Sequence, residues 1–192
     1  MPPSKRNSII KATVEIVAEA GLQGAPTIKI AERAGVAEIT IFRNFKTKEG
    51  LLEATFDELL ADVQDYVRTG HDTFQPIKER FFALCNRFCS YLKAKPENFS
   101  FLEQYLHSAQ GWLKRPDMIH ESDVDFEDFP LISLLDQGRK NGEIKPLPMP
   151  ILTGLVIGAI LNYKRHQSLK ETNYPKHIQE EIIQACWDGI AR

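Results

Sequence analysis

The tightest constraint in this sequence is the glycine at position 35, set between two short apolar patterns in the stretch Thr27 to Lys48, TIKIAERAGVAEITIFRNFKTK. Before it, Ile30, Ala31 and Ala34 share one side of a short helix, and the hydroxyl of Thr27 can cap the first turn. Ala31 and Ala34 are small where a second helix has to cross closely. Gly35 tolerates the positive φ of a sharp reversal, and Val36 can plug the corner. After it, Ile39, Phe42 and Phe45 recur at three-residue steps, so the second helix is expected to bury that stripe. Glu38, Thr40, Ile41, Arg43 and Asn44 are then left on other faces, available to a partner. Two helices about a short glycine turn form the helix-turn-helix pattern, whose second helix enters the major groove of DNA. An ordinary helical hairpin in an all-α core has the same spacing.

The order Ile30-Ala31-x-x-Ala34-Gly35-Val36, then Thr40-Ile41-Phe42-x-x-Phe45 and Lys46-x-Lys48-Glu49-x-Leu51-Leu52, resembles the amino-terminal signature of TetR-family transcriptional regulators. With a helix from Arg6 to Ala20 stopped by Gly21, the resemblance covers about the first fifty residues. Beyond them the chain is similar only in length and helical character. The resemblance implies a homodimer that binds a palindromic double-stranded DNA operator and releases it when a small molecule enters the carboxy-terminal domain. Four positions depart from the family pattern. Ala37 stands where Ser or Thr is usual, Ile39 where Gly is common, Phe42 where Tyr is common and Asn44 where His is common. The departures bear on which operator is chosen rather than on how DNA is bound.

Charge is informative once divided. Residues 1 to 50 carry eight Lys and Arg against five acids, whereas the remainder carries 16 against 21, within a net charge of −2. A basic module on an acidic body suits a protein that touches DNA at one end. Hydrophobic and charged fractions of 43% and 26% belong to a soluble globular chain. The start MPPSKRNSII has no apolar core of signal-peptide length, and the apolar run from Ile151 to Leu161 is too short to span a bilayer, so a cytoplasmic protein with no membrane partner is expected. Three cysteines, with Cys85 and Cys89 on one helix face, make no disulfide framework.

Apolar periodicity predicts an all-α fold of about nine helices. A three-helix DNA-binding domain is expected over residues 1 to 48 and a helical ligand-binding and dimerisation domain over 49 to 192. A long helix from Thr47 to about Thr69 would join them. Pro76 opens a helix apolar over much of its circumference, Lys95-Pro96 breaks it, and Phe99 to Ser108 resumes. An irregular acidic stretch follows from Gln110 to Asp128, then a helix from Pro130 to Lys140, one from Ile151 to Ser168 and a last from Pro175 to Ala191.

The candidate DNA contacts are Thr27, Lys29, Glu38, Thr40, Arg43, Asn44, Lys46 and Lys48. Thr27, Lys46 and Lys48 suit phosphates, while Glu38, Thr40, Arg43 and Asn44 suit base edges. Phe81, Cys85, Phe88, Cys89, Tyr105, His107 and Asn162 are candidate lining for an apolar or aromatic effector, although an aromatic stripe at helical spacing is ordinarily core. The candidate dimer interface is Ile151, Gly154, Leu155, Gly158, Leu161, Ile178, Ile182 and Cys186. Neither a metal nor a cofactor is indicated. The pattern points to a ligand-responsive transcriptional regulator. A DNA-associated protein whose body binds another protein is the alternative, favoured by the acidic stretch. An enzyme is the poorest reading: the five histidines have no metal spacing on one helix, and neither a phosphate loop nor a nucleophile elbow is present.

Overall fold

In the computed structural model the described residues are 4–70, 72–114, 129–168, 174–175 and 177–192. Among them the regular structure is helical: α1 (Lys5–Ala20), α2 (Thr27–Ala34), α3 (Glu38–Phe45), α4 (Lys48–Arg68), α5 (Ile77–Ala94), α6 (Pro96–Leu106), α7 (Pro130–Asn141), α8 (Met149–Thr153), α9 (Ala159–Ser168) and α10 (Ile178–Ile190). A π turn, Gly154–Gly158, joins α8 to α9, so the two are halves of one rod. The uninterrupted helix expected from Ile151 is therefore corrected, and the last helix starts at Ile178 rather than Pro175. The acidic stretch lies outside the described residues from position 115 onward. No described helix is long and apolar enough to cross a membrane.

Packing divides the described residues into two compact units. The first takes the chain up to Asp62 together with Lys95–Leu113, and the second takes Val63–Ala94 and the described residues of Lys114–Arg192. The packing boundary thus falls inside α4, and α6 returns to the amino-terminal unit.

In the first unit the Ser4 hydroxyl caps α1 by accepting from Asn7 N–H at 3.2 Å, and Ile9, Ile10, Val14, Ile16 and Val17 are buried. The helix stops at Gly21, whose φ of 76° lies in the left-handed region. Gln104 of α6 secures that end: its amide Nε2 donates to Val17 O at 3.2 Å and its Oε1 accepts from Leu22 N at 3.1 Å. Phe56 stacks on Tyr105 with centroids 4.8 Å apart, and Phe101 lies parallel to Tyr105 at 6.1 Å.

In the second unit Phe81, Leu84, Cys85 and Tyr91 of α5 are buried, as are Leu134 and Leu135 of α7 and Trp187 of α10. Phe81 meets Trp187 with centroids 5.3 Å apart. Gly138 sits so close to Ile144 that a Cβ would lie 2.6 Å from its Cδ1, so a larger residue in α7 would have to push the Ile144 side chain aside. Arg87 donates from Nε and Nη2 to Tyr66 O at 3.0 and 2.6 Å and lies over the Tyr66 ring, satisfying a carbonyl at the end of α4.

Candidate nucleic-acid interface

The turn between α2 and α3 forms as its glycine requires. Gly35 adopts φ 67° and ψ 35°, and the next amide, Val36 N–H, closes onto Ala31 O at 3.0 Å. Pro26 and Ala37 are the residues that precede α2 and α3, and neither supplies a side-chain cap. Thr27 therefore does not cap its own helix. Its hydroxyl donates instead to Glu38 Oε1 at 2.5 Å, joining the first residues of the two helices.

The buried face of α3 differs from the expected stripe. Ile41 and Phe45 are buried, whereas Ile39 is 57% and Phe42 38% exposed. Both sets satisfy a helical period. The choice between them is made by what α3 packs on, which includes α2, whose Ile30 and Ala31 are buried. At about 100° per residue, Ile39 and Arg43 point about 160° away from the buried pair, at the centre of the outward face.

Several of the polar candidates are already engaged. Glu38 is held by Thr27, and Asn44 Nδ2 donates to Thr40 O at 2.7 Å within its own helix. Lys48 is half-buried, with Nζ donating to Leu22 O at 3.1 Å, which clamps the loop after α1 to the start of α4. Arg33 pairs with Glu15 and Glu19, and the bonds from Arg33 hold the Glu19 carboxyl below its ordinary range and the guanidinium above its own. Arg6, near the start of α1, is bonded to Glu58 and lies over the Phe45 ring at 5.6 Å. By contrast Lys29, Arg43 and Lys46 are exposed and make no ion pair or side-chain hydrogen bond among the described residues.

Lys46 carries the one positive φ of a non-glycine among the described residues, with φ 69° and ψ −53°. Thr47 N–H bonds Phe45 O at 2.8 Å across it, which makes a three-residue γ-turn of the rarer, strained hand. Thr47 then caps α4, its Oγ1 accepting from Gly50 N–H at 2.9 Å. The γ-turn reverses the chain in one residue and leaves the Lys46 ammonium outward beside the end of α3. Sequence reasoning missed this turn, the Lys48 clamp, Gln104 and the 48% exposed Ile28. Of these only the Lys-Thr-Lys run left a trace in the sequence.

The effector candidates do not converge. Tyr105 and His107 belong to the first unit, where Tyr105 is buried in its aromatic stack and His107 is exposed with Nδ1 2.8 Å from Glu103 O. Phe81, Cys85 and Cys89 are buried in the second unit, Phe88 is half-buried and Asn162 is exposed. Burial pushes the Cys85 thiol well up and the Cys89 thiol up to about 11, so both stay protonated at neutral pH. Among the dimer candidates, Ile151 and Leu155 are 52% and 44% exposed, Gly158 is exposed, and Gly154, Leu161, Ile178 and Ile182 are half-buried. Cys186 is buried and its Sγ lies 3.3 Å from Leu155 O in the π turn.

Comparison with known proteins assigns this arrangement. Residues 9–55 match the family model of bacterial regulatory proteins of the tetR family, and residues 76–191 match that of a tetracyclin repressor-like carboxy-terminal domain. The fatty acid metabolism regulator protein of Bacillus subtilis is 30% identical over 157 residues, covering 81% of this chain and 79% of that one. With regulators named BetI the similarity spans only about a third of their length. A TetR-family transcription regulator from Marinobacter aquaeolei superposes with a TM-score of 0.81 at 26% identity, covering 98% of this chain and 96% of its own. FadR of Bacillus subtilis in complex with stearoyl-CoA shares the fold at a TM-score of 0.74 and 22% identity over 96% of this chain and 98% of its own. With its helix-turn-helix at one end and a ligand-type domain over most of the rest, the chain belongs to the TetR family of transcriptional regulators.

Proposed function

We propose that the protein is a repressor that binds a palindromic operator as a homodimer and is released by a small-molecule effector with an apolar portion. Residues 1–48 bind DNA, and 49–192 bind the effector and the second copy. The observation that carries the DNA half is the outward face of α3, where Arg43 stands with Ile39 and Thr40 while Lys29 and Lys46 flank it as exposed cations. Cations position the duplex through phosphates and the α3 face reads the groove. The exposed Ile151 and Leu155 with Gly158 support a helix-on-helix interface between copies, which would set two recognition helices about 34 to 36 Å apart.

For the effector we propose a long-chain acyl compound, either a fatty acid or its coenzyme A thioester. The support is the regulator of fatty acid metabolism that is 30% identical over most of both chains, together with the shared fold of the stearoyl-CoA complex. Release follows if the effector prefers a conformation with the wrong spacing of recognition helices. By linkage, DNA then weakens effector binding by the same factor, typically about 1 to 3 kcal/mol of coupling. No catalytic role is assigned, and the site of action is the cytoplasm. The test is selection of bound fragments from genomic DNA, followed by titration of the complex with acyl-CoAs and free fatty acids of graded length. Operator affinity unchanged by an acyl ligand that binds the protein tightly overturns the release mechanism.

A further inference from the structure

We infer that α3 reads its operator largely by apolar contact, with Ile39 and Phe42 seated on the C5 methyl groups of thymines in the major groove. The inference rests on the proposed reading of α3 as the recognition helix and goes further, to what that helix recognises. Two observations carry it. The helix exposes Ile39 by 57% and Phe42 by 38%, and Ile28 at the start of α2 by 48%, so the basic end of the protein presents large aliphatic and aromatic groups to solvent. Meanwhile two of the polar groups that could read base edges each have one bond within the protein. The Glu38 carboxylate takes the Thr27 hydroxyl, and the Asn44 amide is bonded back to Thr40 O.

What covers this apolar surface is settled by charge. Arg43 shares α3 with Ile39 and Phe42, Lys46 follows its last residue and Lys29 lies in α2, all three exposed. An apolar protein partner would leave these cations facing an uncharged surface, whereas a duplex supplies phosphates on both sides of a groove whose only apolar groups are thymine methyls. Thymine is thus the base for which this face is built, with Arg43 free to take a guanine edge or a phosphate beside it.

The experiment uses the full-length protein and the operator recovered by fragment selection. Each thymine in the footprint is replaced singly by deoxyuridine, which deletes the methyl and keeps every hydrogen-bonding group. Loss of one buried methyl corresponds to about a fourfold loss of affinity. The expected result is that loss at one or two thymines in each half-site. The loss should vanish at one of them in Ile39→Ala and at a neighbour in Phe42→Ala, because those variants no longer distinguish thymine from uracil there. Both residues are solvent-exposed, so the variants should keep the wild-type melting transition, and Ile39→Val serves as a milder second variant. A flat deoxyuridine scan on an operator that the protein still prefers over bulk DNA overturns the inference while leaving the DNA-binding reading intact. So does methyl sensitivity that persists unchanged in both variants. If no fragment is preferred over bulk DNA, the reading of α3 falls together with the inference.

Discussion

The hydroxyl of Thr27 and the carboxylate of Glu38 stand 2.5 Å apart, so a residue suited by sequence to a phosphate and one suited to a cytosine edge are bonded to each other instead. The bond fastens the entry of α2 to the entry of α3. Thr27→Val and Glu38→Ala should each lower folding stability by about 1 kcal/mol, and the double variant should lose no more than one of them alone. Chemical denaturation of the three variants checks this. Additive losses would mean that the two side chains act separately.

Lys46 and Lys48 should separate in their effects although both were expected at phosphates. Lys46→Ala should weaken binding to all duplexes alike and reduce the salt slope by about one unit, because a free ammonium is removed. Lys48→Met breaks the bond to Leu22 O, so it should cost about 1 to 3 kcal/mol of stability and leave the slope nearly unchanged. Equal slopes for the two variants would return Lys48 to the DNA surface.

Lys46→Gly should raise stability by about 1 kcal/mol, since relief of a strained non-glycine conformation outweighs the added freedom of the unfolded chain. The same variant should bind operator as poorly as Lys46→Ala. Thermal melting alongside a binding titration gives both halves of that statement.

A Cβ at Gly158 would meet nothing within 4 Å in a single chain, so Gly158→Ala costs the protomer no contact and favours the helix. If a second copy packs there, the methyl intrudes. Sedimentation equilibrium should show dimer association weakened about tenfold while the monomer's helix content is kept. An unchanged dimer would move the interface away from Gly158.

The buried thiols give the alkaline limb a defined sign. Folded Cys89 keeps its proton to about 11, whereas an unfolded cysteine releases it near 9.0, so in that window the unfolded chain binds fewer protons and stability falls as pH rises. Lys164, whose ammonium is held below its ordinary value chiefly by burial, acts oppositely below 10.5. Cys89→Ala should therefore flatten the decline between pH 9 and 11 in urea titrations. At neutral pH iodoacetamide should leave folded Cys85 and Cys89 unlabelled, and rapid labelling would reopen a redox role.

The helix ends were legible because glycine has few alternatives: Gly21, Gly35 and Gly142 all terminate helices at positive φ. The burial of α3 was not. Ile39-Phe42-Phe45 and Ile41-Phe45 both fit the helical period, and only the packing of α3 on its neighbours, α2 among them, decides between them. Nor could spacing show that α6 packs with α1, since Gln104 announces nothing until its two bonds to Val17 and Leu22 form. Polar side chains were read as outward groups because a sequence does not show whether a nearer partner exists. Glu38, Asn44 and Lys48 each had one.

The π turn at Gly154–Gly158 can be understood as a single-residue insertion that the chain has absorbed. One extra residue in a regular helix would turn everything after it by about 100°, and the wider π turn takes that rotation up. Thr153 bonds back to Met149 O and Pro150 O just before it, and Cys186 reaches Leu155 O within it, so the insertion is held rather than relaxed. Ile151 before the turn and Leu155 within it point outward, while Leu152, Val156, Ile160 and Tyr163 point inward on both sides. A relative shorter by one residue here would carry an unbroken helix whose α9 keeps the same face inward, because the wide turn takes up the added residue: Leu152, Val156, Ile160 and Tyr163 form one buried stripe through it. The rod can therefore gain or lose one residue at this point without turning its downstream half away from the core.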